Sequence, residues 1–266
     1  MFIDSHCHYD RKQFNKNRFE ILADIKLCGV GKIITPAIEL ESNVTMYEKL
    51  DISGLSREKL PEIYYTAGIH PTRVWRNGSI PEKEWENVLR NAVENDCVVA
   101  LGETGLDYHH QMDENMFEKQ HFWFHKQLEI AQEFKLPLVL HIRQADIDAI
   151  EVLKQYPLKE SGVVHCFNGD ITVAEKYIEM GLFFGIGGSV TLDESDSLRE
   201  TVKHIPLERI LLETDAPYVC PKWCNDRWNT SLNIPKIADY IAKLKNISAE
   251  EVEYITTENA ENLFGI

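Results

Sequence analysis

Residues 2–8 read "FIDSHCH", a short apolar run that ends in two histidines, His6 and His8. Seven more short runs rich in Val, Ile and Leu follow along the chain, and such runs are typical of buried strands. Longer segments with a period of about 3.6 residues, typical of helices, separate the runs. The other seven runs span residues 31–37, 63–71, 98–107, 137–143, 162–169, 182–189 and 209–218.

This alternation predicts the fold class. Eight run-then-helix units indicate parallel strands with crossover helices, so we expect an α/β fold, a closed (β/α)8 TIM barrel. The chain of 266 residues suits one barrel of about 250 residues, and we expect residues 1–266 to form a single domain. An open doubly wound sheet is the alternative, but it would want a glycine-rich phosphate loop after the first strand, which the sequence lacks.

Three helices have recognisable ends in the sequence. We expect one over residues 18–28, with Gly29 after its last turn, because glycine favours the left-handed conformation found there. A second is expected over 115–134. A third is expected over 248–263, where Ser248 at the N-cap and Glu251 three residues later form a capping box.

Charge and hydropathy restrict the function. The formal net charge of −15 argues against a broad basic surface for nucleic acid. It still permits an enzyme that holds phosphates through bound cations, because the metal supplies the local positive charge. The sequence shows neither a run of about 18 apolar residues nor a secretory signal, so we expect a cytoplasmic protein with no membrane partner.

Potential metal ligands lie at the ends of six of the eight runs. In a barrel, the C-terminal ends of the strands open on one face, where such folds place their chemistry. Charged groups are rarely buried unless they are paired or bound to a metal. The residues at these ends are His6, His8, His70, Glu103, His141, His165 and Asp215.

These residue types indicate a two-metal site. Imidazole and carboxylate together suit zinc, manganese, magnesium or iron, and a carboxylate can bridge two ions. Two ions about 3.5–4 Å apart serve phosphoryl transfer. Glu103, on the middle run, is the best candidate for the bridge, and Asp215 is the best candidate to accept a proton from the attacking water. His70 could bind phosphate or orient a ligand.

Further residues near the strand ends could reach a substrate. His109 and His110 follow the fourth run. Trp223, Arg227 and Trp228 lie after the eighth run, where aromatic and Arg side chains can stack on bases and pair with phosphates. The alternative is that both tryptophans cover the rim of the barrel.

At these residues the sequence resembles the TatD family of metal-dependent deoxyribonucleases, within the amidohydrolase-like barrels. The resemblance runs from end to end. It rests on a His-x-His opening, a Gly-Glu-x-Gly-Leu-Asp motif and a Glu-Thr-Asp-x-Pro signature. The matching stretches are "FIDSHCHYD", "AGIHPTRV", "ALGETGLDYH", "LPLVLHIR", "VVHCFNGD", "LLETDAPYVCP" and "ENAENLFGI".

The resemblance implies a ligand set and an activity. One divalent metal ion would be held by His6, His8, Glu103 and Asp215, and a second by Glu103, His141 and His165. Members of the family cleave phosphodiesters in DNA, often as 3′-to-5′ exonucleases with magnesium or manganese. Two divalent ions (Mg, Mn or Zn) and a DNA substrate are therefore expected.

The chain departs from the family pattern beside the expected ligands. "WNTS" (228–231) stands where the family often has Arg-Asn-Glu-Pro. Ile142, Arg143 and Gln144 replace a common Ser-Arg-Asp, and Thr72 replaces a common histidine. These positions concern the phosphate grip and the identity of the substrate.

Three functions compete at this stage. The leading hypothesis is a phosphodiesterase acting on DNA, with Arg143 or Arg227 holding flanking phosphates. The second is a metal-dependent hydrolase of a small amide, lactone or phosphotriester, which would use the same ions with a different pocket. The third is a binding protein that kept the fold without catalysis.

Overall fold

The computed structural model describes residues 1–51, 57–75, 80–109, 113–157 and 160–266. Within these residues, eight parallel strands follow one another in a single sheet in chain order. The strands are β1 (Phe2–Asp4), β2 (Val30–Pro36), β3 (Glu62–Ala67), β4 (Val98–Asp107), β5 (Leu138–Arg143), β6 (Gly162–Val164), β7 (Phe183–Ile186) and β8 (Ile210–Leu212).

Helices connect the successive strands and pack on the outside of the sheet. Two further helices follow β8. The helices are α1 (Arg18–Leu27), α2 (Ser42–Lys49), α3 (Trp85–Val93), α4 (Glu114–Phe134), α5 (Asp146–Leu153), α6 (Ile171–Glu179), α7 (Asp196–His204), α8 (Ile234–Lys245) and α9 (Ala249–Phe264). The helices expected near 18–28, 115–134 and 248–263 are confirmed as α1, α4 and α9, and Ser248 Oγ accepts the Glu251 N–H at 3.0 Å.

Backbone hydrogen bonds between the first and last strands close the sheet. Ser5 N donates to Leu212 O at 3.0 Å, and Asp215 N donates to His6 O at 2.8 Å. His8 N donates to Ala216 O at 2.7 Å in the same seam. The predicted TIM barrel is therefore confirmed, and the alternative of an open sheet is wrong.

Most strands are shorter than the apolar runs that predicted them. The fourth run, 98–107, agrees with β4, but β1, β6 and β8 end before His6, His165 and Asp215. The backbone leaves the strand conformation there: Cys166 and Asp215 have φ of 47° and 54°, which lies in the left-handed region. Of the expected ligands, only Glu103 and His141 lie within a strand; the others follow a strand end.

Helix α9 covers the opposite mouth of the barrel. Asn259 Nδ2 donates to Leu207 O and Ile210 O at the start of β8. Lys32, near the start of β2, forms an ion pair with Glu261 at 2.7 Å. Three residues of α9 belong to the apolar cluster that the strands contribute from inside the barrel. This cluster comprises Ile3, Ile34, Ala100, Val139, Val163, Leu211, Ala260, Leu263 and Phe264.

With α9 at one mouth, the C-terminal mouth is left for polar side chains.

In the part of the chain that the structure describes, no helix combines the length and hydropathy needed to cross a bilayer.

Candidate metal centre

Glu103 lies at the centre of the polar cluster at the C-terminal mouth. It is 2 % exposed, and its two carboxylate oxygens face different groups. Oε1 lies 3.0 Å from His165 Nε2 and 3.5 Å from His141 Nδ1. Oε2 lies 3.7 Å from His6 Nε2 and 3.8 Å from His8 Nε2. This is the arrangement that a carboxylate bridging two ions requires.

Asp215 completes the group on the Oε2 side of Glu103. Its Oδ1 lies 3.2 Å from His8 Nε2 and 3.8 Å from His6 Nε2. β1 is short, and the Ser5–His8 segment that follows it pairs with residues after β8. This pairing brings His6 and His8 beside Asp215. The six predicted ligands, which lie in or directly after five different strands, therefore meet in one place.

The residues present fit divalent metal ions. Among the described residues, two buried atoms that face the centre, His6 Nε2 and Glu103 Oε2, lack a hydrogen-bond partner, which is costly unless something binds them. Two donor atoms on a tetrahedral ion with bonds of ~2.1 Å lie about 3.4 Å apart, close to the separations seen here. Candidate ligand groups among the described residues include His6–His8–Asp215 and His6–Glu103–His165.

The carboxylates of the cluster are held in their ionised form, whereas its histidines differ in protonation. Burial raises the pKa of Glu103, but the neighbouring His165 and His6 outweigh burial and hold this pKa well below its usual range. Burial likewise opposes ionisation of Asp215, yet the hydrogen bond from His8 lowers its pKa. Burial, together with the charge of His6, lowers the pKa of His165 to about 4. Burial opposes a charge on His141 and His8, but the hydrogen bond to Asp107 raises the pKa of His141 to about 9, and the hydrogen bond to Asp215 raises the pKa of His8. Because metals bind ionised carboxylates and neutral imidazoles, a bound ion would displace one proton from each of these two rings.

His70 faces the same cluster, but the ring nitrogen that it presents to the cluster carries a hydrogen. Its Nε2 lies 3.9 Å from Glu103 Oε1, and its Nδ1 accepts the Thr72 backbone N–H at 3.1 Å. A backbone N–H can only donate, so Nδ1 of the neutral ring carries a lone pair and Nε2 carries the hydrogen. His70 thus presents a hydrogen-bond donor to the cluster. This favours the predicted substrate contact over metal ligation, although His70, Glu103 and His141 are close enough to form a third candidate group.

Sequence reasoning missed three buried carboxylates around the ligands. Asp107 Oδ2 lies 3.1 Å from His141 Nε2, and Glu213 Oε1 accepts the Cys166 N–H at 2.6 Å. Asp4 accepts hydrogen bonds from His6 N, Thr214 and Ser231. The period of two along a strand places Asp107 on the Glu103 face of β4, and this signal could have found it. Asp4 and Glu213 sit in apolar runs and are recognisable only from the folded chain.

A cavity of about 520 Å³ opens over the centre. His141, His165, Asp215, Arg143 and His109 are among the residues that line it. The structure therefore places the predicted substrate residue Arg143 beside the centre. His110, named with His109 in the sequence analysis, lies outside the described residues.

Arg227 does not line this cavity. It is exposed in the segment after β8, and its guanidinium lies 5.0 Å from the centre of the Trp228 ring. Trp223 is half-buried, and its Nε1 donates to Asn233 Oδ1 at 3.1 Å. Trp223 therefore packs on the rim, whereas Arg227 and Trp228 could meet only a substrate that extends beyond the cavity.

A TIM barrel that gathers imidazoles around a central carboxylate at its C-terminal mouth has the architecture of a metal-dependent hydrolase. The sequence profile of the family described as TatD related DNase matches residues 3–265. The chain belongs to this family, as the resemblance predicted. It is an enzyme, a metal-dependent hydrolase, rather than a binding protein without catalysis.

Relatives match over nearly their full length. YcfH of Escherichia coli K12, named an uncharacterized metal-dependent hydrolase, is 31 % identical over 99 % of this chain and 96 % of its own. A protein of Erwinia amylovora named 3'-5' ssDNA/RNA exonuclease TatD is 33 % identical, with 96 % of each chain covered.

Solved structures share the barrel. YjjV, a TatD homologue from Escherichia coli K12, matches with a TM-score of 0.88 and 30 % identity, covering 100 % of this chain and 98 % of that one. The organophosphorus hydrolase of Deinococcus radiodurans matches with a TM-score of 0.67 at 12 % identity, covering 99 % and 92 %. The second likeness shows the fold alone.

Proposed function

We propose that this enzyme is a deoxyribonuclease that removes nucleotides from the 3′ end of DNA with two divalent ions. The observation that carries the proposal is the placement of Glu103, whose two oxygens face two separate groups of ligands. The Erwinia amylovora relative, named as an exonuclease acting on single-stranded DNA and RNA, supports a nucleic-acid substrate. We assign this activity to residues 1–266 acting as one domain.

The ligands divide into two sets around Glu103. His6, His8, Glu103 and Asp215 would hold one ion, and Glu103, His141 and His165 would hold the other. Bound divalent ions, Mg²⁺, Mn²⁺ or Zn²⁺, would lower the pKa of water and stabilise negative charge on the phosphate and the leaving oxygen.

Asp215 is the proposed general base. Its Oδ1 lies 3.2 Å from His8 Nε2, and the residue also borders the cavity, so its carboxylate is accessible to a water beside the substrate. A low pKa keeps the carboxylate ionised and ready to accept the proton. Glu103, which is 2 % exposed and lies between the two ligand sets, would join them rather than act as the base.

Arg143 and His70 are the proposed contacts to the scissile phosphate. Arg143 lies in the cavity wall, where a guanidinium can bind phosphate oxygens in pairs. The Nε2–H of His70 can donate one hydrogen bond to an oxygen that gains charge. Arg227, outside the cavity, would contact a phosphate further along the strand.

The test uses purified protein whose metal content has been measured. We expect a 5′-labelled single-stranded DNA to be shortened stepwise from its 3′ end in Mg²⁺ or Mn²⁺, and Asp215→Asn to abolish the ladder. Absence of cleavage by protein with two bound ions per chain would overturn the nuclease proposal.

A second candidate, hydrolysis of a small amide, lactone or phosphotriester, is favoured by the charge of the cavity. Among the described residues that line it, Arg143 is the one Lys or Arg, which suits a small substrate better than a long polyanion. Turnover of such a substrate by the metal-loaded protein, with DNA left intact, would establish this function instead.

A further inference from the structure

Asp107 contacts the centre through one histidine, from outside the proposed ligand set. It is the last residue of β4 and is 2 % exposed. Its Oδ2 lies 3.1 Å from His141 Nε2. On the other side of the same ring, His141 Nδ1 lies 3.5 Å from Glu103 Oε1 and 3.0 Å from His165 Nε2. The imidazole therefore spans the gap between Asp107 and the centre.

The position of Asp107 is fixed independently of His141. Asp107 Oδ1 accepts the His109 backbone N–H at 2.9 Å. The buried side chain of Gln120, on α4, accepts from Asp107 N at 2.8 Å and donates to Asp107 O at 3.0 Å. Because α4 packs against β4, this clamp holds the carboxylate in place before any ion or substrate binds.

We propose that Asp107 is a positioning residue that keeps a proton on His141 Nε2 and thereby directs His141 Nδ1 at the ion shared with Glu103 and His165. An ionised carboxylate can only accept hydrogen bonds, so the nitrogen facing it must carry hydrogen. The opposite nitrogen then offers its lone pair to the cation. This inference rests on the proposed metal centre.

Asp107 should therefore act selectively on one of the two ions. His141 belongs to the set on the Oε1 side of Glu103, whereas His6, His8 and Asp215 lie on the Oε2 side. Removing a carboxylate that orients a ligating histidine typically costs 10–100-fold in metal affinity. An asparagine at position 107 could accept from Nε2–H or donate to Nε2, so it would permit either tautomer and cost less than alanine.

The experiment is a calorimetric titration of metal-stripped protein with Mn²⁺. We expect two sites in the unmodified protein and an increase of about 10–100-fold in one dissociation constant in Asp107→Ala, with a smaller increase in Asp107→Asn. Asp148→Asn is the matched control, because Asp148 accepts from Tyr108 Oη at 2.9 Å in the same region and belongs to neither ligand set. The control should bind both ions as the unmodified protein does.

A spectroscopic readout separates orientation from general damage. In Zn²⁺-loaded protein with ¹⁵N-labelled histidine, His141, identified by the signals missing from His141→Asn, should carry hydrogen on Nε2 and none on Nδ1. The Nε2–H signal should be lost to solvent exchange in Asp107→Ala, which offers no acceptor, and should be retained more often in Asp107→Asn, whose amide oxygen can still accept it.

Two results would contradict this role. One is a hydrogen on His141 Nδ1 in the Zn²⁺-loaded protein. The other is unchanged affinity at both Mn²⁺ sites in whichever Asp107 variant retains the melting temperature of the unmodified protein. An unmodified chain that binds no Mn²⁺ would instead overturn the metal centre itself, and the Asp107 proposal with it.

Discussion

At the scale of single residues, Glu103 decides what the site can do. A carboxylate offers two oxygens from one rigid plane, and here each oxygen faces a different set of nitrogens. Aspartate at this position would have a shorter reach, and without a carboxylate the histidines would repel one another once two of them were protonated. The buried negative charge of Glu103 therefore joins the two halves of the centre.

Replacing Glu103 by glutamine tests this bridging role. The amide keeps the shape of the side chain but loses the charge and turns one acceptor into a donor. We expect Glu103→Gln to retain at most one bound ion per chain and to lower kcat by more than the ~100-fold typical of a residue that only orients a ligand.

Elemental analysis after gel filtration, together with kcat, measures both effects. Glu62→Gln is the control, because Glu62 is exposed at the start of β3 and accepts a hydrogen bond from Tyr64. Two ions and normal kcat in Glu103→Gln would show that the carboxylate is not a bridge.

At the scale of elements, the ends of the strands determine where the expected ligands lie. β1, β6 and β8 end before the expected ligands that follow them, and Cys166 and Asp215 have φ of 47° and 54° there. Such a backbone costs about 1–2 kcal/mol for most residues, so the surrounding hydrogen bonds must hold it. Asp4 supplies several of them, by joining the end of β1 to Thr214 and Ser231.

The residue that follows helix α4 offers a clean measure of this backbone cost. Lys135 directly follows α4 and has φ of 55°, whereas Asn246 follows α8 and Gly265 follows α9. Glycine adopts this conformation without a steric penalty. We expect Lys135→Gly to raise the free energy of unfolding by about 0.5–1 kcal/mol, measured by urea denaturation.

Lys154→Gly is the matched control for Lys135→Gly. Lys154 also follows the last residue of a helix, α5, but its φ is −59°, where glycine gains nothing and adds entropy to the unfolded chain. We expect the control to lose stability. Equal effects of the two substitutions would mean that the left-handed conformation of Lys135 carries no cost.

At the scale of the whole molecule, the barrel separates stability from chemistry. One mouth is covered by α9 and packed with apolar side chains, whereas the other holds buried polar atoms that lack partners. The chain also carries a net charge of −15, which repels a polyanion except where cations or Arg143 offset it. We therefore expect metal binding to affect both the folding and the substrate affinity of the entire protein.

Removing the metal should lower the stability of the whole barrel. An ion that binds only the folded chain stabilises it by about 2.7 kcal/mol at a concentration 100 times its dissociation constant. For a chain of this size, that is a shift of roughly 5–11 °C in Tm. We expect chelation to lower Tm by this amount and added Mn²⁺ to restore it, as measured by differential scanning calorimetry. A Tm that is unchanged by chelation and by added Mn²⁺ would contradict a buried metal centre.

The salt dependence of DNA cleavage should report how few phosphates the protein holds. Each phosphate contact to single-stranded DNA contributes about −0.7 to the slope of log affinity against log salt. We expect Arg143→Ala to raise KM and to make this slope shallower by about 0.7.

Arg90→Ala is the control for Arg143→Ala. It makes the same change in net charge, but Arg90 pairs with Glu86 and Glu133 on the helical surface, so its slope should match that of the unmodified protein. A slope that falls equally in both variants would assign the effect to overall charge rather than to the cavity.

The sequence by itself determined the barrel and identified six side chains that the structure brings together at one mouth. Eight apolar runs can be buried only by a parallel sheet covered with helices, and polar residues at their ends must then share one mouth. Patterns that repeat over a few residues can be recognised in the sequence without knowledge of the fold. They also placed α1, α4 and α9 to within a residue or two at each end.

Only the tertiary structure decided how those side chains face one another. The early ends of β1, β6 and β8 depend on hydrogen bonds between residues far apart in the chain, such as Asp215 N to His6 O. The same is true of Thr72 and Asp107, which set the hydrogen on His70 and His141. Hydrogen-bond direction is a property of atoms in contact, and no spacing along the chain encodes it.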